Sequence, residues 1–351
     1  MSPQQRQRLW LQIIALAVGT VSGAVASYVH MPLPWMLGAM LGTTTLAMAG
    51  VKMRPPVWLR PKVIPILGVL LGSSLTMEVL NQAVTWLPSI LLMPVFIVVA
   101  TMACMAIYRY LGGYSSTSAY FASMPGGLNE MILLSAAYGG DERRVALAHG
   151  IRILLTIALI ALIYGLTLNV SSSGPRNWVA LDALTLSDYF WLGAAAVIGG
   201  ALGAWLKMPA GVVMLPMILS GILHVFSVVT VAPPSLLVIA AQVVMGSAIG
   251  ARFAGTKFSE ILPDILLGAA STVAMVLIAA GFALAAFWIA GTDYSHSFLA
   301  FAPGGLSEMS LLALALGQAV AYVSVMHIIR IVLVVLSAPY LYRLLTPRRD
   351  G

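Results

Sequence analysis

Charge is what this sequence has least of. Only 8% of its 351 residues are Asp, Glu, Lys or Arg, against roughly 25% in an average soluble protein. Hydrophobic residues make up 60% of the chain, and the mean hydropathy is +0.98. Apolar runs of about 18 residues or more recur along the whole length, each long enough to cross a bilayer as a helix. Alternation at every second residue is missing, which excludes a membrane β-barrel. There is one cysteine, Cys104. It excludes an internal disulfide and any multi-cysteine metal site, and it is expected to pack inside a span. Long polar loops are missing too, so neither a soluble catalytic domain nor an element that could enter a nucleic-acid groove has room. The net charge of +7 rests on basic residues in short loops between spans. That reads as orientation by the positive-inside rule rather than affinity for nucleic acid. The N-terminus, MSPQQRQRLW and an apolar run, imitates a signal peptide. A similar span at 189–206 is followed by Lys207-Met208-Pro209, much as 9–29 is followed by His30-Met31-Pro32. The first span is therefore expected to belong to the fold.

What is present is a phrase written twice. Residues 124–131 read MPGGLNEM and residues 302–309 read APGGLSEM. With a shift of 178, 16 of the 32 positions in 124–155 and 302–333 are identical. Upstream the match weakens, but Gly72-Ser73 still falls on Gly246-Ser247, and Leu87-Pro88 on Leu262-Pro263. The expected organisation is one integrated transmembrane domain: a first repeat at 1–170, a linker at 171–186 and a second repeat at 187–351. In the first repeat six apolar elements are expected, at about 9–29, 33–50, 62–80, 84–108, 115–139 and 143–168. Pro-Gly-Gly interrupts the fifth, where proline removes a donor and glycine favours unwinding. Each flanking piece is about half a bilayer long. The element is either a re-entrant hairpin or a discontinuous helix that crosses.

The basic residues arbitrate. If the fifth element returns to its own side, 15 loop cations face one side and only Arg176 the other. If it crosses, the split is 11 against 5. The first topology is favoured. It has five crossings per repeat, and an odd number inserts the second repeat upside down. The fold class expected is an all-α polytopic membrane protein of two inverted-topology repeats. Each would have about five crossings plus a broken or re-entrant helix, with both termini cytoplasmic. That architecture is typical of secondary transporters.

The candidate site lies at the two breaks. Gly126, Gly127, Gly304 and Gly305 would expose orphan backbone groups able to hold an ion or an anionic group. Glu130 and Glu308 follow one turn later, where a mid-span carboxylate costs about 2.5–3.5 kcal/mol. They are either proton or sodium carriers, substrate contacts, or partners in an ion pair. His149/Arg152 recurs as His327/Arg330, each pair at i, i+3 on one helix face. The arginines stay charged and need an anion, either a glutamate that clamps the hairpin or a substrate carboxylate or phosphate. The histidines relay protons or pack. Asn129 and Ser307 are weaker candidates for polar lining. GxxxG spacings such as Gly19/Gly23, Gly38/Gly42, Gly68/Gly72, Gly199/Gly203 and Gly246/Gly250 imply close helix packing, inside the fold before any homodimer.

The duplicated PGGLxEM, with His-x-x-Arg about twenty residues on, resembles the AbrB-type bacterial membrane family over essentially the whole chain. In that family Gln often stands where this chain has His149 and His327. The resemblance implies a duplicated membrane domain and a distant likeness to proton antiporters and anion carriers. Two labels attach to the family. Ammonia monooxygenase needs clustered redox-metal ligands, which five scattered histidines and one cysteine do not offer. A regulator of gene expression could act only indirectly. The expected function is transport or export of a small anionic or zwitterionic solute across the bacterial inner (cytoplasmic) membrane, coupled to H+ or Na+. The rival is a membrane-embedded regulator without transport. No enzymatic activity, cofactor, metal or direct nucleic-acid partner is expected; the partners are the lipid bilayer and the solute.

Overall fold

Five places where the chain turns through a left-handed conformation show how the structure is organised. His30 (φ 58°), Leu33 (46°), Gly50 (95°), Gly113 (60°) and Gly139 (75°) recur 177 or 178 residues later as Lys207 (51°), Ala210 (54°), Ser227 (56°), Gly291 (64°) and Gly317 (66°). Four of the non-glycine turns adjoin Met31-Pro32 or Met208-Pro209. The doubled sequence thus bends its backbone at doubled positions. The structure is a computed structural model that describes residues 3–31, 33–168, 178–208, 210–255 and 258–345. Pro32, Pro209, Arg176, Lys257, Arg348, Arg349 and residues 171–177 of the expected linker lie outside the described residues.

The described residues are helical, without strands. The first half contains α1 (Pro3–Tyr28), α2 (Pro34–Met48), α3 (Arg60–Gly72), α4 (Met77–Asn81), α5 (Leu87–Ala106), α6 (Ser116–Ser123), α7 (Leu128–Ala137) and α8 (Glu142–Leu168). The second contains α9 (Leu186–Trp205), α10 (Gly211–Val225), α11 (Ser235–Gly250), α12 (Phe258–Ala290), α13 (Tyr294–Phe301), α14 (Leu306–Ala315) and α15 (Val320–Leu345). Among the described residues, seven helical stretches are long and apolar enough to cross a membrane. Large apolar side chains such as Val197, Leu277 and Trp288 are exposed on them, a surface suited to lipid. This is the make-up of a multi-pass membrane protein.

Some helices are shorter than the apolar runs that encode them. α2 and α10 have 15 residues and α3 has 13, roughly 20–23 Å at 1.5 Å per residue. α2 opens with proline after left-handed Leu33, and the chain leaves it through left-handed Gly50. Beyond α3, the Ser73 and Ser74 hydroxyls donate back to the Leu70 and Leu71 carbonyls. These side chains compete with continued helix, so the expected third element, 62–80, divides into α3 and α4.

The chain forms two compact units, and each draws on both halves of the sequence. The first unit holds α1–α4, the end of α8, α9–α11 and residues 310–321. In it α2 packs on α1 and α11, and α10 packs on α9 and α3. The GxxxG glycines make these approaches. A Cβ on Gly38 would meet the Ser22 carbonyl oxygen at 2.5 Å, and one on Gly68 the Val213 carbonyl oxygen at 2.4 Å. Gly203 and Gly246 face backbone of Gly211 and Met36 in the same way. The spacings are thus used inside the fold and carry no argument for a homodimer.

The second unit holds α5–α7, most of α12, α13, α15, the start of α8 and the first turn of α14. Two aromatic groups fill it. Phe96, Phe282 and Phe301 meet edge-on or tilted at 5.4–5.8 Å, and Tyr120, Phe121, Tyr138 and Tyr342 form a second cluster. Cys104 is buried here, its thiol donating to the Ser271 carbonyl.

Candidate functional site

Both Pro-Gly-Gly phrases lie in the second unit, each between two short helices. Met124–Gly127 separates α6 from α7, and Ala302–Gly305 separates α13 from α14. The first legs are capped at matched positions. Ser115 accepts from the Ser118 amide, and Asp293 accepts from the Ser295 and His296 amides. α6 and α7 fold back on each other as a hairpin. The Asp141 amide, just past α7, donates to the Ser118 hydroxyl in the first turn of α6 at 2.8 Å. The Phe121 and Tyr138 rings lie 5.7 Å apart. In one continuous helix those rings would be about 25 Å apart.

α8 starts beside the open end of that hairpin, and Arg152 lies ten residues in. At 1.5 Å per residue this is about 15 Å, the length of a hairpin leg, so Arg152 stands level with the tip. There Nη1 donates to the Met124 carbonyl at 2.8 Å and Nη2 to the Gly126 carbonyl at 3.4 Å. One turn earlier, His149 Nε2 bonds the Phe121 carbonyl at 2.8 Å, and its Nδ1 lies 2.7 Å from Arg152 Nη2. The last carbonyls of a helix have no partner within it. Here side chains from α8 satisfy them, with positive charge at the negative end of the α6 dipole. The second tip repeats the plan: Arg330 on α15 donates through Nη1 to the Ala302 carbonyl and through Nη2 to the Gly304 carbonyl.

The glutamates occupy the other side of each tip. Glu130 is the third residue of α7, and its carboxylate folds back over Gly127. A Cβ on Gly127 would lie 2.1 Å from Glu130 Oε2, and one on Gly305 2.1 Å from Glu308 Oε2. A negative group there complements the positive end of the second leg. The guanidinium–carboxylate clamp, one of the alternatives for the arginines, is not what this geometry forms. Among the described residues neither arginine is within ion-pair distance of a glutamate, and the ion pair present is Arg144 with Asp141. The arginines clamp backbone carbonyls, and the glutamates sit on the amino ends.

The two halves differ in detail. Glu308 is buried, at 5% exposure, with the Ser307 hydroxyl donating to Oε2 at 3.0 Å; Glu130 is only partly buried. His327 bonds the Val323 carbonyl through Nδ1 at 2.9 Å, and its ring also faces the Ala302 carbonyl. The Nε of both arginines is buried without a hydrogen-bond partner among the described residues. The side chain of Asn129 lies outside the described residues.

The structure therefore groups Gly126, Gly127, Glu130, His149 and Arg152 at one tip, and Gly304, Gly305, Ser307, Glu308, His327 and Arg330 at the other. Sequence reasoning missed the partners that hold the arginines, because backbone carbonyls carry no side-chain signal. It also missed a cavity of about 260 Å³ in the first unit, lined by Trp35, Ser73, Ser235 and Gln242 among apolar neighbours.

With this geometry in hand, comparison with known proteins places the chain. Residues 35–346 match the family model described as "Transition state regulatory protein AbrB". The chain is 25% identical over 349 residues to "Putative regulator AbrB" of Escherichia coli (strain K12), covering 97% of this chain and 99% of that protein. It is 26% identical over 356 residues to "Uncharacterized protein YhjN" of Bacillus subtilis (strain 168), covering 94% and 92% respectively. No solved structure matches significantly.

Proposed function

Because the chain belongs to the AbrB family of bacterial membrane proteins, we propose that it is a secondary transporter or exporter. Its solute is small and anionic or zwitterionic, and it crosses the inner membrane coupled to H+ or Na+. One observation carries this reading: charged side chains meet two matched non-helical tips inside an otherwise apolar helical protein. Irregular backbone at membrane depth is tolerated where it is buried in protein or lines a cavity, and such breaks form the ion and substrate sites of transporters. In this reading the two halves insert with opposite orientation and both termini are cytoplasmic. The hairpins are re-entrant, so their tips stand near mid-membrane. Glu130 and Glu308 carry the coupling ion. Arg152 and Arg330 hold the tips together and supply the positive charge that a solute anion requires.

The test is flux through proteoliposomes for the wild type, Glu130→Gln and Glu308→Gln. Loss of flux, or loss of its pH or sodium dependence, is expected; unchanged flux with unchanged dependence removes the coupling role. A membrane-embedded regulator acting indirectly on gene expression is the second reading, favoured by the names of the family and of the Escherichia coli relative. The metabolite profile of a deletion strain separates the two. A transporter leaves one solute accumulated or excluded, and a regulator without transport does not.

A further inference from the structure

The cavity in the first unit is built from helix ends of opposite sign. A Cβ on Gly246 would meet Met36 O and Met40 N, and one on Gly250 would meet Met40 O and Thr44 N. α11 and α2 therefore run parallel, and Gln242, one turn before Gly246, comes level with Pro34 at the start of α2. α11 begins at Ser235, about 10 Å before Gln242 at 1.5 Å per residue, so its first two turns overhang that start. Ser235, Val238, Ile239 and Gln242 lie on one helix face and line the cavity. The N–H groups of a helix point toward its start, and those of Met36 and Leu37 turn to the Leu33 carbonyl. The N–H of Trp35, which also lines the cavity, has no acceptor among the described residues. Gln242 is 8% exposed, and its amide has no hydrogen-bond partner among the described residues. On another wall α3 ends. Ser73 and Ser74 give their protons to the Leu70 and Leu71 carbonyls, so their oxygens offer only lone pairs, at the negative end of the α3 dipole.

Donors thus stand at the start of α2 and acceptors at the end of α3. No Asp, Glu, Lys, Arg or His is among the described residues that line the cavity, and most of the others are apolar. A ligand of net charge would lack a counter-ion there, whereas one that carries both signs matches both helix ends. A cavity of about 150 Å³ holds benzene, so one of about 260 Å³ has room for about ten non-hydrogen atoms. We propose that this cavity binds an apolar α-amino acid as the zwitterion. Its carboxylate accepts from the Trp35 amide and the Gln242 side chain, its ammonium donates to the Ser73 and Ser74 oxygens, and its side chain lies among Val238, Ile239 and Leu311. This deepens the transport reading, on which its role as solute rests, by naming the solute class. Recognition falls to helix ends of the first unit, and the tips keep the coupling ion.

The experiment is calorimetric titration of the purified full chain with leucine, with isocaproate, which lacks the ammonium, and with isoamylamine, which lacks the carboxylate. Wild type is expected to bind leucine at least about tenfold more tightly than either, the worth of one hydrogen bond to a charged group. Gln242→Met, of similar size and without the amide, should weaken leucine about tenfold, and Gly281→Ala, on α12, should not. An analogue of single charge that binds as well as leucine overturns the proposal. So do binding of none of the three, which leaves a cavity for water alone, and unchanged leucine affinity in Gln242→Met. Should Gln242→Met fail to fold, wild type photolabelled with a diazirine analogue of leucine decides. The label must fall within 33–35, 70–74 or 235–242, and a label elsewhere overturns the assignment. Leucine binding without flux of any solute in proteoliposomes sinks transport and leaves the site. Flux of another solute without leucine binding sinks this proposal and leaves transport.

Discussion

A carboxylate lying over a glycine gives a way to separate function from folding. Gly127 has φ −68°, which any residue can adopt. Its alanine variant is opposed only by the Glu130 carboxylate, the far end of a flexible side chain. Gly305 and Glu308 stand in the same relation. Gly127→Ala and Gly305→Ala are therefore expected to leave thermal stability within about 1 kcal/mol of wild type, the range of mild substitutions, while displacing the carboxylate. If the glutamates carry the coupling ion, flux falls in both variants at near-normal melting temperature. A variant that melts normally and transports normally would show that carboxylate position is immaterial. Arg330→Ala should do the opposite. It strips two carbonyls of charged donors, at about 1.5–3 kcal/mol each, so the melting temperature drops whether or not transport is assayed.

At the scale of elements, glycine decides how closely the helices of the first unit approach. Gly38 faces backbone, the Ser22 carbonyl oxygen at 2.5 Å and Gly23 Cα at 2.8 Å, and neither can rotate away. Gly38→Ala should cost roughly 1–3 kcal/mol as overpacking. Gly281, inside α12, has nothing within 4 Å of an added Cβ. Gly281→Ala should be neutral, or stabilising by up to about 1 kcal/mol through helix propensity. Denaturant unfolding of the two variants in detergent checks the contrast, and equal destabilisation would refute the packing account. The hairpin is an element of a different kind. Its legs, α6 and α7, have 8 and 10 residues, below the length at which an isolated helix persists. They depend on caps and on the α8 side chains that hold the tip.

At the scale of the whole molecule, matched turns offer a test of orientation. His30 and Lys207 sit in corresponding left-handed turns. In the proposed inverted arrangement they emerge on opposite faces of the membrane. In a Cys104→Ala background, His30→Cys should react with an impermeant thiol reagent from outside and Lys207→Cys only from the cytoplasmic side. Labelling of both from one side would end the inverted reading. The interleaving of sequence halves within each unit could not be read in advance. Periodicity and repeat matching report on stretches along the chain, and the partners of α2 and α10 come from the other half of it.

The sequence by itself determined the helical membrane class, the repeated phrase and the two places where Pro-Gly-Gly interrupts the helices. Apolar run length, Pro-Gly-Gly and i, i+3 spacing are local signals that survive without coordinates. Only the tertiary structure decided what those residues touch. Arg152 and Arg330 were expected to seek carboxylates, and they hold carbonyls instead, because the end of a short helix offers buried acceptors that only backbone geometry creates.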